Sequence, residues 1–360
     1  MNIAKETILF SMAVALAGCT TSADEQPAAV QPGKGAPVKV VAMVGDGSTR
    51  AAATTSDNFT AFRMWGFAGG VTLVNGADYS KSGTSSWTGS TIFWEEDVTY
   101  QFFGISPYAA VTDASMTAAA QSFSYAVPTD NDAQKDLLVS SLLAQQKTAD
   151  NTLSLPFRHA LTMLALQFTT ATDLVFEIHS VTFCNLKNGG TFTFSSTTDC
   201  TSTPASTPVG TWTDNDATAT ADYGVTLISD VTVTKDASPV TAIDKDGAQV
   251  IMVRPQTVTA WDKTGTVTEQ TGGYVAVECK IHTTGGYYYN GSSATNYCTV
   301  YMPFGFNDMQ MQKRYKLVYN MDGCLKANGS QVLSGVVVQP ELTATVTEWD
   351  AVGGEWAINF

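Results

Sequence analysis

The sequence predicts an all-β protein built from sandwich domains, and three observations predict it. Charged residues make up only 14 % of the 360 positions while hydrophobic residues make up 44 %. Much of the remainder is Thr, Ser and Gly, and Thr and Val favour strands whereas Gly and Ser favour turns. Apolar runs of strand length recur at short spacing, and Gly, Pro, Asn or Asp closes nearly every one. The length accommodates two ordinary domains or one large one.

The chain opens with "MNIAKE", carrying Lys5, and then "TILFSMAVALAG", which has no charge. A positive start and an apolar core too short to span a bilayer read as a secretory signal peptide over residues 1–18. Its end, Leu16-Ala17-Gly18-Cys19, resembles the lipobox of bacterial lipoproteins. That likeness implies cleavage before Cys19, diacylglycerol on its thiol, and membrane retention by buried CH₂ groups, with more than one acyl chain needed for stable holding. Residues 20–37 are rich in Pro, Gly and small polar residues and read as a tether. "VKVVAMV", residues 38–44, is β-branched and bounded by Pro37 and Gly45, so it reads as a strand. After "GDGST" comes Arg50, one of few arginines, in a link ahead of the folded body.

The body begins near "NFTAFRMWGFAGG", residues 58–70. Two strand runs with a Glu-Glu-Asp break fill residues 90–108, and Phe123, Tyr125 and Val127 alternate onto one face. Residues 131–148 leave two readings open: a helix with Leu137, Leu138, Leu142 and Leu143 near one face, or a strand "DLLVSS" followed by a turn. "LSLPFRHALTMLALQFTT", residues 153–170, has mixed periodicity around Pro156 and His159. Strand runs then continue to the C-terminus, interrupted by a Thr/Ser/Pro-rich insert at 197–224 expected as a surface loop. The domain border is expected near residue 150, dividing a 51–150 sandwich from a 151–360 sandwich, with 19–50 as tether plus first strand.

Catalytic chemistry is hard to find. His159, His179 and His282 lie among apolar neighbours and read as packed strand residues rather than bases. No GxSxG, HExxH or P-loop occurs. Glu95, Glu96 and Asp97 read as a solvated turn rather than a glycosidase pair, and Asp214, Asp216 and Asp222 lack EF-hand spacing. A net charge of −14 argues against nucleic acid. With Cys19 lipidated, Cys184, Cys200, Cys279, Cys298 and Cys324 remain, an odd number with no metal-ligand spacing. Cys279 and Cys298 flank "GGYYYNGSS" and have the placement to face each other on adjacent strands, or to be small buried thiols. Tyr287, Tyr288, Tyr289 and Tyr297 offer rigid amphipathic contact area for a sugar or a protein, or pack on a sheet face.

Several stretches together resemble the fimbrillin-like (FimA/Mfa-type) lipoproteins of Bacteroidales, the type V pilus family. These are the LAGC lipobox with its tether, "STRAA" at 48–52, "KDLLVSS" at 135–141, "LPFRHALTMLALQF" at 155–168, "MQKRYKLVYNM" at 311–321 and "TATVTEW" at 343–349. Five body cysteines and the Thr-rich insert depart from the family pattern. The resemblance implies two transthyretin-like or Ig-like β-sandwich domains in tandem, in a non-enzymatic subunit carried to the outer membrane. An arginine-specific protease would cut between Arg50 and Ala51 and release "VKVVAMV". A strand of another subunit, here Leu342, Ala344, Val346, Trp349 and Trp356, would fill the groove. The same tail is equally readable as completing its own sheet. The alternative is a lipid-anchored surface protein that binds glycan or a host receptor through Tyr287, Tyr288, Tyr289 and Tyr297. No cofactor beyond the covalent diacylglycerol, no metal and no nucleic-acid partner is expected.

Overall fold

The computed structural model describes residues 36–44, 58–83, 86–204, 206–216, 219–235, 237–244, 249–333, 342–348 and 356–359. Cys19, Arg50, Ala51 and Trp349 lie outside the described residues. The first strands are β1 (Ala36–Pro37), β2 (Lys39–Val44), β3 (Ala61–Ala68), β4 (Val71–Lys81), β5 (Trp87–Thr88), β6 (Phe93–Trp94) and β7 (Tyr100–Ser106). Next come β8 (Thr112–Met116), β9 (Gln121–Ala126), β10 (Leu138–Gln145), β11 (Thr152–His159), β12 (Thr162–Thr169), β13 (Leu174–Lys187), β14 (Gly189–Phe194) and β15 (Gly210–Thr213). The rest are β16 (Thr220–Val233), β17 (Val240–Ile243), β18 (Ile251–Val253), β19 (Tyr274–Thr283), β20 (Cys298–Pro303), β21 (Lys313–Asn320), β22 (Leu342–Glu348) and β23 (Trp356–Asn359). Among the described residues the helical turns are all short 3₁₀ pieces, so the all-β expectation holds.

A seven-stranded sheet runs β2-β11-β10-β7-β3-β4-β5. It curls until its two edges meet: on β5, Trp87 Nε1 donates to the carbonyl oxygen of Ala42 on β2 at 3.2 Å. The curl wraps one apolar core, with Val40, Val44, Phe59, Phe62, Tyr79, Trp94, Tyr100, Phe102, Leu155 and Phe157 inside it. Gly76, at φ +67° on β4, helps the sheet bend: a Cβ there would sit 3.3 Å from the Trp65 indole nitrogen. The opposite face of the same sheet, with Trp65, Phe67, Phe103, Ile105 and Val139, belongs to a second and larger core.

That second core is shared by three further sheets. In β15-β14-β9-β8, Phe194 meets Phe103 edge-on at 5.1 Å and Phe192 stacks on Phe123 at 5.2 Å. Here β9 pairs with β14, so hydrogen bonding joins chain from both sides of residue 150. The sheet β17-β12-β21-β22-β23, with β18 also on β12, and the sheet β16-β13-β19-β20 supply Leu164, Leu166, Val181, Phe183, Val277, Val300, Leu317 and Tyr319.

Within 131–148 the structure has a strand and not a long helix: a 3₁₀ turn at Asn131–Ala133 leads into β10 at Leu138–Gln145. Leu137 and Val139 enter the large core while Leu138 and Leu142 enter the wrapped one. A strand buried on both faces loses its polar alternation, which is why spacing alone leaves it ambiguous. The insert at 197–224 is not merely a surface loop: Cys200 and Val209 are buried, and β15 pairs with β14. Arg158 is the cause. Its buried guanidinium donates to the carbonyl oxygens of Thr207 (2.6 Å), Cys200 (2.9 Å) and Ser202 (3.0 Å), pulling the insert onto the body.

The neighbouring His159 is a packed residue, as expected. Its Nδ1 lies 2.8 Å from Asp136 Oδ2, with both side chains almost wholly buried. The pair ties the segment entering β10 to the end of β11, next to the register pair Leu138–His159. Removing one partner of a buried polar pair leaves the other desolvated. Replacing His159→Ala is therefore expected to cost about 3 kcal/mol, read as a lower urea midpoint. An unchanged midpoint would show that the pair holds nothing.

Candidate functional site

Three features merit attention as functional: the strand that closes the curled sheet, the C-terminal strands, and the tyrosine surface. The first is β2. Its sequence KVVAMV points Val40 and Val44 inward, 5 % exposed each, and leaves Met43 47 % exposed. It runs parallel to β11 over six register pairs, from Lys39–Thr152 to Val44–Phe157. Its entry is pinned by Val38 N–H on Ile92 O (2.9 Å) and Lys39 N–H on Asn151 O (2.8 Å), while β1 pairs with β6. Burying two valines contributes roughly 3–6 kcal/mol. Beneath β2 the aromatic cluster is dense: the Phe59 ring lies 4.8 Å from Phe157 and 4.9 Å from Trp87.

At the other end of the chain, β22 lies between β21 and β23, antiparallel to both. Leu342 is half-buried against the large core and Ala344 is 1 % exposed. Val346 is the register partner of Tyr315 on one side and of Trp356 on the other. In this structure the tail thus completes the chain's own sheet.

The tyrosines separate into two groups. Tyr287, 67 % exposed, meets Tyr289 edge-on at 5.1 Å, and Tyr289 packs on the large core. Tyr288 turns toward His282, with ring centroids 5.2 Å apart. The excursion is held by its own bonds, Thr283 N–H to Tyr287 O and Tyr289 N–H to Ile281 O, both 2.9 Å. Tyr297 stands apart. Its ring stacks on His179 at 4.4 Å, Lys280 Nζ lies over it at 4.8 Å, and its hydroxyl donates to Asp230 Oδ2 at 2.7 Å. His179 Nδ1 holds the other Asp230 oxygen at 2.9 Å. This ring is already occupied by the protein itself.

Charge follows that geometry. Burial pushes the Asp230 carboxyl up, but the bonds from His179 and Tyr297 outweigh it and hold the group below the usual carboxylate range. The hydrogen bond to Asp230, followed by burial, raises the Tyr297 phenol above its ordinary value. The acidic residues considered for catalysis or calcium do not converge: Glu96 pairs with Lys147, Asp214 with Arg254, and Asp222 accepts from the backbone N–H of Asn185. Among the described residues no group of three or more His, Cys, Asp and Glu is arranged to hold a metal. Two positions escape sequence reasoning. Trp87 sits on a two-residue strand with no periodic signal, and Asp230 joins Tyr297 and His179 only through the fold.

Comparison with known proteins is consistent with this architecture. A family model described as fimbrillin-like matches residues 34–349. A fimbrial protein from Bacteroides vulgatus is 13 % identical, with 87 % of this chain and 99 % of that one covered, at a TM-score of 0.56. A fimbrilin (fimA) from Porphyromonas gingivalis is 11 % identical, with 88 % and 99 % covered, at 0.43. The tip fimbrial protein Mfa3 from the same organism, with C-terminal truncation, is 10 % identical, with 87 % and 100 % covered, at 0.39. At 13 % identity the first likeness is one of fold. No curated protein matches the sequence.

The Tyr297 network yields a titration. A carboxyl with a depressed folded value adds stability that is full above the unfolded value and is lost as pH falls through the folded one. Stabilisation through Asp230 is therefore complete at neutral pH and disappears in acid. Replacing Asp230→Asn should bring one tyrosine's ionisation back toward its ordinary pH, followed by near-ultraviolet absorbance. No movement in that titration would show that Asp230 does not govern Tyr297.

Proposed function

The chain belongs to the fimbrillin-like family, and from that premise we propose a structural subunit of cell-surface fimbriae that polymerises by strand donation. It is exported as a lipoprotein acylated at Cys19, carried to the outer membrane, and cut between Arg50 and Ala51 by an arginine-specific protease. It is not an enzyme. Its partners are other fimbrial subunits, and adhesion to a host or glycan receptor is a further role of the assembled fibre.

The observation that carries this reading is the placement of β2. It is an edge strand followed by the link that holds Arg50, yet it buries Val40 and Val44 in the wrapped core. Its neighbour β11 carries Pro156 opposite Met43, and sheets keep proline to edges because it cannot donate to a ladder. Without β2, β11 is that edge. Loss of β2 would also uncover Phe59 and Phe157 and leave backbone groups of β11 unpaired. A strand with alternating apolar residues removes both costs. The tail has that alternation in Leu342, Ala344 and Val346, followed by Trp349 and Trp356.

A second reading, a lipid-anchored glycan binder, rests on the exposure of Tyr287 beside Tyr289. It draws less support from Tyr297, whose ring is engaged internally.

Limited trypsin treatment separates the two. A subunit should yield a new N-terminus at Ala51 and an SDS-resistant ladder, and Arg50→Ala should abolish both. Val346→Asp should leave the cut intact and remove the ladder. A clipped protein that stays monomeric with β2 gone would sink strand donation. Substitution of Trp87→Phe removes the seam bond to Ala42 and is expected to speed amide exchange across 40–44, while exchange in β10 is unchanged.

A further inference from the structure

We propose that Cys279 and Cys298 are oxidised to a cross-strand disulfide that staples the edge strand β20 to β19 at the base of the tyrosine excursion. The two residues are direct register partners in the antiparallel β19–β20 pair. Opposed residues in such a pair have Cα atoms about 4.5–5.5 Å apart, within the roughly 4.4–6.8 Å that a disulfide spans. Register partners in an antiparallel pair carry their side chains on the same face of the sheet, so the two thiols are neighbours, and both are reduced in this structure. Between the two cysteines the chain makes the 284–297 excursion and returns as the last strand of the sheet β16-β13-β19-β20. Ser292 fastens the returning chain: its Oγ accepts from Ile281 N–H at 3.1 Å and donates to Tyr289 O at 2.7 Å.

The two thiols have different chemistry. Cys279 is wholly buried, and both the bond to Cys298 and burial push its thiol well up. Cys298 is half-buried. The bond from Cys279, outweighing burial and assisted by Asn290 and Ser292, brings it down to about 7. A thiol whose pKa lies near ambient pH is the effective attacker in exchange. The Cys298 thiolate attacks one sulfur of a donor disulfide, forming a mixed disulfide and releasing the donor's other half as a thiolate. Cys279 loses its proton to that thiolate and attacks the Cys298 sulfur. The Cys279–Cys298 bond forms, the second donor thiolate leaves and takes a proton, and the donor is reduced to two thiols. The remaining cysteines do not compete in this way: burial raises Cys184 and Cys324 to about 12 and raises Cys200. In the cell the oxidant is a protein disulfide of the thiol-oxidase class, a point that rests on the export reading. The chemistry itself does not.

The test supplies the oxidant directly. Folded protein is treated with glutathione disulfide near neutral pH, quenched in acid, unfolded, blocked with iodoacetamide and mapped by peptide mass spectrometry. The expected product is one peptide pair joined through Cys279 and Cys298, two hydrogens lighter than the dithiol, with Cys184, Cys200 and Cys324 alkylated. Replacing Cys279→Ser should trap glutathione on Cys298. Wild-type protein that retains glutathione on Cys298, links either cysteine to Cys324, or is alkylated at both positions would overturn the proposal. Failure of the chain to be exported or clipped would leave this result untouched.

Discussion

The structure depends on closing a curled sheet over its own aromatic core. An open sheet with the rings of Phe59, Phe62, Tyr79, Phe102 and Phe157 on its concave face would present apolar surface and two unpaired edges. The fold covers that surface by bringing the edge strands β2 and β5 against each other, with the Trp87–Ala42 hydrogen bond as the seam. The closing strand is also the first strand of that sheet in sequence, paired in parallel to one neighbour and followed in sequence by the link containing Arg50. Parallel pairing is slightly weaker per residue than antiparallel, so the element on which closure depends is also among the less firmly held.

The central strands β3, β7 and β10 are anchored differently. Both of their faces are buried, one in the wrapped core and one in the larger core that continues through the rest of the chain. The run from β10 to β12 threads this boundary. Leu138, Leu155 and Phe157 fill the wrapped core, whereas Leu137, Leu161, Met163 and Leu164 fill the larger one. Polar side chains lock the crossing: Asp136 with His159, and Arg158 with three carbonyl oxygens of the insert. Loss of β2 would expose one face of the sheet without loosening the other. That asymmetry is what a scaffold needs if it is to remain folded while one strand is exchanged.

Much of this was legible in the sequence, for physical reasons. Short β-branched runs with Gly, Pro and Asp breaks announce an all-β chain, and "VKVVAMV" between Pro37 and Gly45 is a strand in the structure. The "FRHAL" run was recognisable as unusual without its purpose being readable. Its arginine and histidine act on partners 23 to 49 residues away in sequence, which no local pattern encodes. The 131–148 run was undecidable because burial on both faces erases the period that distinguishes strand from helix. The insert misled because Thr, Ser and Pro report exposure only on average, and one buried guanidinium suffices to hold them down. The tyrosines grouped by sequence are divided by the fold: Tyr288 turns away from Tyr287 and Tyr289 as consecutive residues of extended chain do, and Tyr297, on the returning chain, packs on His179 and Asp230 instead.

The two ends of the chain share a pattern that bears on strand donation. In β2 the alternate residues are Val40, Ala42 and Val44, with both valines inward and Ala42 partly buried against the wrapped core. In β22 the alternate residues are Leu342, Ala344 and Val346. A large aliphatic residue, an alanine and a valine therefore recur at the same two-residue period. A one-residue slip would reverse the faces of either strand, so in the proposed exchange the triplet sets the register, with Val41 and Met43 in one strand and Thr343 and Thr345 in the other on the opposite face. The small central residue matters most. At position 42 the backbone carbonyl receives Trp87, and a larger side chain there would compete with the indole for the seam. A donor strand that places alanine at this point can take the ladder of β11 and the bond from Trp87 together. The core beneath then meets nearly the same volume it held before, a swap of the kind that packed interiors tolerate best.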